Sequence, residues 1–470
     1  MTALTVADLH VNAPQGPIVA GLDLTVEPGE THAIVGESGS GKSVSAKALA
    51  GLLPPGLTAS GALTIAGADV PLGVAGRARQ VGSGRRDAER SWRQVRGSRI
   101  TLLPQDPFTS LSPRHRCGNQ IGVALRHLTR PQRAAAVLAS LDEVGLPARV
   151  ARQYPFQLSG GMRQRVAIAA ALITGPDVLI ADEATSALDV TTQRDVLDLL
   201  ARLQRDRQMG LILITHDLGV ARGRADEVTV MYAGRPAEHG PALTVIASPA
   251  HPYTRRLLDC DPPLEVTLER LPTIPGAVPR LAAVGSACTF ASRCDLVIDD
   301  CRTSVPPLIE VASGHHAACL RVAPFQRDVG PGRHPQHDAP SESPTIATEP
   351  AQVVQVAKLA PPPPGGSTSI LSVRDLTKSF GSTVALAGVD IDVKAGESVA
   401  VVGESGSGKT TLARIIVGLE RADAGTTAVA RPPGSQEVVA RPPQIVFQDP
   451  YSALNPSISV GASLRDALRA

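Results

Sequence analysis

A glycine-rich stretch with the sequence GESGSGKS runs from Gly36 to Ser43. It follows a short apolar run, THAIV, that is typical of a strand, and it precedes a helical pattern. In that context glycines let backbone N–H groups close around a phosphate, a lysine reaches the terminal phosphates and a hydroxyl can ligate Mg²⁺. We therefore predict a nucleoside triphosphate site made of Gly36, Glu37, Ser38, Gly39, Ser40, Gly41, Lys42 and Ser43.

Two acidic residues close a second apolar run, VLIADE, at Asp182 and Glu183. A buried parallel strand delivers such residues at its carboxyl-terminal edge, where ligands of α/β sheets bind. We predict that Asp182 holds Mg²⁺ and that Glu183 orients or activates an attacking water. A strand that simply ends in a solvated acidic pair is the alternative.

A third stretch, QLSGGMRQR, places Ser159, Gly160 and Gly161 directly before a helical pattern. Backbone amides and a hydroxyl at the positive end of a helix can bind an anionic phosphate. A helix cap followed by two glycines would have the same sequence. The position of this stretch shortly before the acidic strand favours the phosphate-binding interpretation.

The order of elements predicts how these residues are positioned. Residues 1–255 alternate short apolar runs with helical patterns, which indicates an α/β domain with a mainly parallel sheet. Residues 256–325 are rich in Pro and Cys and form a small appended module. Residues 326–368 combine Pro, Gly, Ser and charge, so we expect a flexible linker. The α/β pattern restarts over residues 369–470.

The restarted pattern is an internal duplication, because GESGSGKT (Gly403 to Thr410) repeats the first glycine-rich stretch. LSVRDL repeats the upstream LTVADL, and FQDP with Gln448 repeats the first copy's PQDP. The predicted contacts of the second copy are Gly403, Gly406, Gly408, Lys409, Thr410 and Gln448. No second acidic pair follows, so we expect weak nucleotide binding at most, no hydrolysis there, and a truncated version of a longer protein.

Composition excludes several classes of protein. The 470 residues are 43% hydrophobic and carry a formal net charge of +2, so there is no overall field for nucleic acid. A basic run from Gly76 to Arg99 is interpreted as a solvated, partly helical face. No stretch approaches the roughly 20 apolar residues needed to cross a bilayer, and no signal peptide is evident. We expect a cytosolic or peripherally attached protein.

Four of the six cysteines, Cys288, Cys294, Cys301 and Cys319, lie in one short segment. In a reducing compartment such clustering indicates a metal site before it indicates disulfides. The spacing C-x5-C-x6-C-x17-C lacks the paired C-x2-C that is common in zinc sites. Free or structural cysteines remain an alternative.

Taken together, residues 1–255 resemble the ATPase domain of ABC transporters, a P-loop NTPase with a helical subdomain. The resemblance makes Gly36 to Ser43 the Walker A loop, Leu158 to Gln164 the signature, and Asp182 with Glu183 the Walker B pair. It also implies that Gln105 in LPQDP is the Q-loop glutamine, near Mg²⁺, and that His216 in LITHD is the switch histidine. Glu183, His216 and Gln105 are thus the implied catalytic residues.

LPQDPFTSLSP, HPYTRRLL and the cysteine segment look like the ATPase subunits of dipeptide, oligopeptide and nickel importers. This resemblance implies Mg·ATP hydrolysis that drives transport, on the cytoplasmic face of the plasma membrane. The implied partners are two transmembrane permease subunits and an extracytoplasmic solute-binding protein. The four cysteines then imply a four-iron four-sulfur cluster. Four thiolates can hold such a cluster as well as zinc, and we favour the cluster over zinc.

In this family ATP lies between the Walker A loop of one domain and the signature of another. The resemblance therefore implies a dimer of ATPase domains, with the second domain supplied by another copy of the chain or by a separate subunit. Two alternatives remain at this point. One is a soluble ABC ATPase that acts on nucleic acid or the ribosome. The other is a nucleotide-binding relic without turnover.

Overall fold

A computed structural model of the chain describes residues 2–72, 83–105, 110–185, 188–261, 272–322, 356–357, 369–381, 383–403, 406–429, 443–447 and 458–469. The chain divides into two compact units, Met1–Pro340 and Ser341–Ala470. The first unit holds the glycine-rich stretch at Gly36 and the acidic pair, and the second holds the repeated stretch at Gly403.

The first unit is built on a sheet of eight strands in the order β11-β12-β10-β9-β3-β8-β7-β6. Strands β9, β3, β8, β7 and β6 run parallel, while β10, β12 and β11 join antiparallel at one edge. Apolar runs form the parallel strands because both faces of such strands are covered and buried. The strand bounds are β3 Thr31–Val35, β6 Ile100–Leu103, β7 Val178–Asp182, β8 Gly210–Thr215, β9 Glu227–Tyr232, β10 Arg235–Pro241, β11 Ile309–Ala312 and β12 His315–Ala317.

A smaller antiparallel sheet in the order β2-β1-β4-β5 packs over helix α1, and its inward side chains share a core with it. Its bounds are β1 Leu4–Ala13, β2 Gly16–Val26, β4 Thr58–Ile65 and β5 Ala68–Asp69. The helices of the first unit are α1 Lys42–Leu49, α2 Ser83–Val95, α3 Cys117–Ile121, α4 Arg130–Glu143, α5 Gly160–Leu172, α6 Val190–Arg207, α7 Leu218–Arg224, α8 Ala242–Ala247, α9 Pro252–Asp259 and α10 Leu281–Val284.

Helices α3, α4 and α5 form a helical subdomain between β6 and β7, with a second core of Leu, Ile and Val side chains. Helix α2 covers the described part of the basic run, and its Trp92 is 2% exposed, so one face of this helix is packed rather than solvated. The α/β fold with a helical subdomain and an added C-terminal region, as predicted, is confirmed.

The cysteine-containing segment adds strands β11 and β12 to the edge of the main sheet. Strand β12 pairs with β10, with His316 opposite His239. At the same edge Glu238 is fully buried, and its carboxylate accepts hydrogen bonds from the backbone N–H groups of Ala250 and His251 and from His315 Nε2. This buried hydrogen-bond network holds the cysteine-containing segment against the main sheet of the first unit.

The second unit contains a three-stranded sheet, β15-β14-β17, and a two-stranded pair, β13-β16. Helix α11 begins directly after the repeated glycine-rich stretch, and its Leu412 and Ile415 pack with side chains of β14 and β15. The bounds are β13 Val356–Ala357, β14 Ser369–Phe380, β15 Thr383–Lys394, β16 Ala400–Val401, β17 Ala424–Val429, α11 Lys409–Ile416 and α12 Val460–Arg469.

Apart from β13, the predicted linker over residues 326–368 lies outside the described residues. Among the helices that the structure describes, none has the length and apolar character required to span a membrane.

Candidate active site

The stretch from Gly36 to Ser43, hereafter the phosphate loop, connects the fully buried strand β3 to helix α1. Gly36 has a φ of 150°, and a Cβ atom there would stand 2.2 Å from the carbonyl oxygen of Met231 in β9. Gly41, the N-cap of α1, is left-handed with a φ of 101°. Only glycine satisfies both positions, so the loop remains narrow enough for backbone N–H groups to face a phosphate.

Lys42 opens helix α1, and its side chain is 4% exposed. Its Nζ donates to the carbonyl oxygens of Gly36 at 2.7 Å and Glu37 at 3.0 Å. Burial lowers the pKa of Lys42, and the nearby carboxylates of Glu183 and Asp182 oppose that shift. A buried ammonium bonded to loop carbonyls is placed to exchange those contacts for phosphate oxygens.

Ser43 and Asp182 meet although 139 residues separate them: Ser43 Oγ donates to Asp182 Oδ1 at 2.9 Å. They meet because β3 and β7 are separated in the sheet by β8 alone and both end at the same edge. Burial raises the pKa of Asp182, and the hydrogen bond from Ser43 opposes that rise. A hydroxyl beside a carboxylate provides the oxygen ligands that Mg²⁺ prefers.

Glu183 is the next residue, and its side chain lies between three other predicted site residues. Its Oε1 is 4.0 Å from Lys42 Nζ. Its Oε2 accepts a hydrogen bond of 2.8 Å from Gln105 Nε2 and is 3.7 Å from His216 Nδ1. The structure therefore gathers Lys42, Ser43, Gln105, Asp182, Glu183 and His216 at one edge of the sheet.

The signature residues contact other elements. Ser159 is exposed and caps helix α5, its Oγ accepting from the N–H of Met162 at 3.4 Å. A Cβ atom on Gly161 would lie 2.7 Å from Thr192 Cγ2 of helix α6. Within the described residues, the neighbours of Ser159, Gly160 and Gly161 are in α5, in α6 and at Leu188, and none of them belongs to the group around Lys42.

The second copy has the same loop geometry. Gly403, Gly406 and Gly408 have φ values of 154°, 88° and 93°, against 150°, 87° and 101° at the matching glycines of the first copy. Lys409 Nζ donates to the Gly403 carbonyl at 2.7 Å, as Lys42 does to Gly36. Thr410 follows in α11 and is exposed, and Gln448 lies outside the described residues.

The four clustered cysteines line one small cavity together with His251 and Phe290. Burial raises the pKa of Cys319 to about 11, and neighbouring thiols contribute to that rise. All four are described, yet no group of three or more His, Cys, Asp or Glu side chains in the described part of the chain could hold a metal ion. The arrangement of these four thiols therefore gives no support to the predicted iron–sulfur cluster or zinc ion.

Two residues that contact the phosphate loop were not predicted. Arg293 pairs with the carboxylate of Glu37, and Tyr253 Oη accepts a hydrogen bond of 2.8 Å from the Glu37 backbone N–H. The motif HPYT contains Tyr253 and is a sequence signal for it, whereas Arg293 ends a short 3-10 helix, Ala291–Arg293, and has no local sequence signal of its own.

Comparison with known families agrees with this geometry. Residues 19–186 and 386–466 match the family described as ABC transporter. Residues 237–301 match the family described as oligopeptide/dipeptide transporter, C-terminal region. We refer to residues 237–301 below as the C-terminal region. The first of these matches falls on both copies of the duplication.

Among similar proteins, the oligopeptide transport ATP-binding protein OppD of Mycobacterium tuberculosis is 36% identical, over 99% of this chain and 76% of its own length. The dipeptide transport ATP-binding protein DppD of Bacillus subtilis is 42% identical, over 62% of this chain and 86% of its own. A solved structure, cbiO1 from Clostridium perfringens, is 27% identical over 52% of this chain and 91% of its own, with a TM-score of 0.44.

Three findings point to the same family: two segments match ABC transporters, residues 237–301 match the oligopeptide/dipeptide C-terminal region, and a relative aligns over nearly the whole chain. The chain therefore belongs to the ATP-hydrolysing, ATP-binding proteins of ABC transporters, in the oligopeptide/dipeptide transporter family.

Proposed function

We propose that this chain is the ATPase subunit of an ABC importer for oligopeptides or dipeptides. The observation that carries the proposal is the meeting of Lys42, the Ser43–Asp182 pair and the Glu183–Gln105 pair at one sheet edge. The C-terminal region and the peptide transporters among the relatives support the peptide substrate over nickel.

The residues present fit Mg·ATP. Backbone N–H groups of the phosphate loop and Lys42 would bind the β- and γ-phosphates, and Ser43, Asp182 and Gln105 would provide oxygen ligands for Mg²⁺. When bound, Mg²⁺ neutralises charge on the phosphate oxygens. Lys42 is buried and its Nζ donates to the carbonyl oxygens of Gly36 and Glu37, and phosphate oxygens would be stronger, charged acceptors for the same group.

Glu183 orients the attacking water and accepts its proton. Its carboxylate accepts a hydrogen bond from Gln105 Nε2 and lies 3.7 Å from His216 Nδ1, so the Q-loop glutamine and the switch histidine both face the same carboxylate. Fixing this carboxylate in advance removes the entropic cost of aligning the water with the terminal phosphorus.

A second ATPase domain is required, because the signature of the first unit does not join the site of the same unit within the described residues. The surface around the signature is exposed, with Phe156 65% and Val190 83% exposed. We propose that another copy of the chain or a separate ATPase subunit covers this surface. A site completed in trans predicts that ATPase activity per molecule rises with protein concentration; constant specific activity would contradict it.

The proposed partners are two transmembrane permease subunits and an extracytoplasmic binding protein, with the chain attached peripherally at the cytoplasmic face of the membrane. Purification from membranes with two co-purifying membrane proteins is the expected result. Co-purification with nucleic acid or ribosomes would instead support the alternative soluble ABC ATPase.

Metal at Cys288, Cys294, Cys301 and Cys319 is a separate proposal, which rests on the clustering of these four cysteines in the sequence. A cluster would be held by the four thiolates. Iron, sulfide and zinc analysis of anaerobically purified protein decides between a cluster, zinc and free thiols, and metal-free protein contradicts the proposal.

The experiment that tests the ATPase assignment is Glu183→Gln, which keeps the shape of the side chain and removes the base. Mg·ATP binding should persist while steady-state phosphate release falls by about 100-fold or more, the usual contribution of a general base. Glu89→Gln, on the outer face of α2 where Glu89 contacts Arg93, is the matched control and should keep normal turnover. Unchanged turnover in Glu183→Gln would refute the role of Glu183.

A further inference from the structure

The second residue of the phosphate loop is held by an arginine that lies 256 residues away. Arg293 Nη1 donates to both carboxylate oxygens of Glu37, at 3.0 and 3.2 Å, and Arg293 Nη2 donates to Oε2 at 3.1 Å. The Arg293 side chain is 4% exposed and that of Glu37 is 26% exposed. This is a bidentate ion pair with a nearly buried guanidinium, a geometry that gives more specificity and less screening than a solvated pair.

The remaining donors of Arg293 are also occupied, so the guanidinium is fixed. Nε donates to the Pro275 carbonyl at 2.8 Å, and Nη2 donates to the Ile274 carbonyl at 2.9 Å. Nη1 also reaches Tyr232 Oη at 3.1 Å. Every nitrogen of the guanidinium therefore has a partner, and a lysine could not reproduce this set with one ammonium group.

Tyr253 holds the same loop residue through its backbone. The Glu37 N–H donates to Tyr253 Oη at 2.8 Å. Tyr253 is fully buried, and its ring packs against those of Tyr232 and Phe290, with centroids 4.6 and 5.4 Å away. The hydroxyl is therefore presented by a rigid aromatic cluster and does not depend on a mobile side chain.

Glu37 is critical because of what surrounds it. The carbonyl oxygens of Gly36 and Glu37 accept hydrogen bonds from Lys42 Nζ. The Glu37 carbonyl also accepts a hydrogen bond of 3.2 Å from the N–H of Ser40. Its carboxylate places a negative charge beside the site for the β- and γ-phosphates. Without Arg293 that unpaired charge would repel the phosphates.

We propose that Arg293 and Tyr253 are positioning residues for the nucleotide site, through which the C-terminal region sets the affinity of the phosphate loop for Mg·ATP. The inference rests on the proposed function of the phosphate loop. Arg293 neutralises Glu37, and Tyr253 fixes its backbone. Because Arg293 directly precedes Cys294, a structural change in the cysteine segment reaches the phosphate loop through one residue.

The test uses the full chain and measures Mg·ATP binding directly, together with KM, kcat and the thermal midpoint. Arg293→Gln should raise Kd and KM about tenfold, the effect of losing one charge-assisted interaction. Adding Glu37→Gln to Arg293→Gln removes the unpaired charge and should lower KM again.

Tyr253→Phe keeps the ring packing and should raise KM with a smaller change in kcat. Arg293→Lys should restore part of the affinity.

Arg256→Gln is the matched control, because Arg256 forms an ion pair with Asp295 in the same region and, within the described residues, no hydrogen bond or ion pair joins it to the phosphate loop. It should leave Kd and KM at their normal values. A normal Kd in Arg293→Gln would overturn the inference. A lowered thermal midpoint in Arg293→Gln, with no recovery of Kd when Glu37→Gln is added, would also overturn it. A chain that binds Mg·ATP without hydrolysing it would contradict the proposed function alone, since Kd still decides the roles of Arg293 and Tyr253.

Discussion

The Glu183 N–H donates to the carbonyl of Ile214 at 3.0 Å, which ties the residue after β7 to the neighbouring strand β8. At that point the Glu183 backbone turns into the left-handed region, with a φ of 45°. Such a conformation costs a residue with a Cβ about 1–2 kcal/mol. The turn aims the carboxylate at Gln105 and His216, so the active site stores this strain.

Glu183→Gly and Glu183→Ala should separate the strain from the chemistry. Both variants lose the carboxylate and therefore turnover. Because glycine adopts the left-handed region freely, Glu183→Gly should have a free energy of unfolding about 1 kcal/mol higher than Glu183→Ala. Urea unfolding of the two variants measures the difference.

Gln208, the left-handed C-cap of α6 with a φ of 52°, is the matched control position. Gln208→Gly should exceed Gln208→Ala in stability by a similar amount, with turnover intact in both variants. If Glu183→Ala proves as stable as Glu183→Gly while the Gln208 pair differs, the Glu183 turn is not strained in solution.

Two buried histidines predict a loss of stability in mild acid. Burial lowers the pKa of His251 from 6.5 to about 4 and that of His32 to about 3. Between these values and 6.5 the unfolded chain binds the protons and the folded chain does not. Their contribution to stability is therefore complete above pH 6.5 and declines as the pH falls, by up to about 1.4 kcal/mol per pH unit for each histidine.

His251→Asn provides the check, because asparagine is also a good N-cap and can replace His251 Nδ1 as acceptor for the Tyr253 N–H. The variant should lose stability less steeply than the wild type between about pH 6.5 and about pH 5. Glu227 acts in the opposite direction, since burial and Glu30 raise its pKa to about 7, so the readout is the difference between the two proteins. Parallel pH profiles would contradict the assignment of His251.

The parts of the site that sequence could predict are those encoded locally. Glycine spacing between a strand and a helix identifies the phosphate loop, and an apolar run ending in two acids identifies Asp182 and Glu183. Parallel strands end at one edge, so the meeting of Ser43 with Asp182 follows from the predicted fold class.

What sequence could not predict depends on distant packing or on strain. The positive φ of Glu183 has no local signal, because glutamate does not favour that region. Strands β11 and β12 are short and partly polar, so nothing in IEVA or HHA indicates that they extend the main sheet. The Arg293–Glu37 pair joins residues that are far apart in the chain, and neither carries a periodic pattern.

Gly161 in the signature faces Thr192 at the start of α6. This contact predicts that the effect of Gly161→Ala on the free energy of unfolding changes sign when Thr192 is also substituted. An alanine Cβ at position 161 would meet Thr192 Cγ2 at 2.7 Å. Gly161→Ala should therefore lower the free energy of unfolding by about 1–3 kcal/mol in the wild-type background, as overpacking does.

Thr192→Ser removes that methyl group but keeps the hydroxyl, which donates to Asp189 Oδ2 at 2.9 Å and so preserves the cap of α6. In the Thr192→Ser background the clash is gone, and the better helix propensity of alanine over glycine should make Gly161→Ala stabilising by up to about 1 kcal/mol. Urea unfolding of the four proteins gives the coupling energy. Equal costs of Gly161→Ala in both backgrounds would mean that α5 and α6 are not packed through this pair.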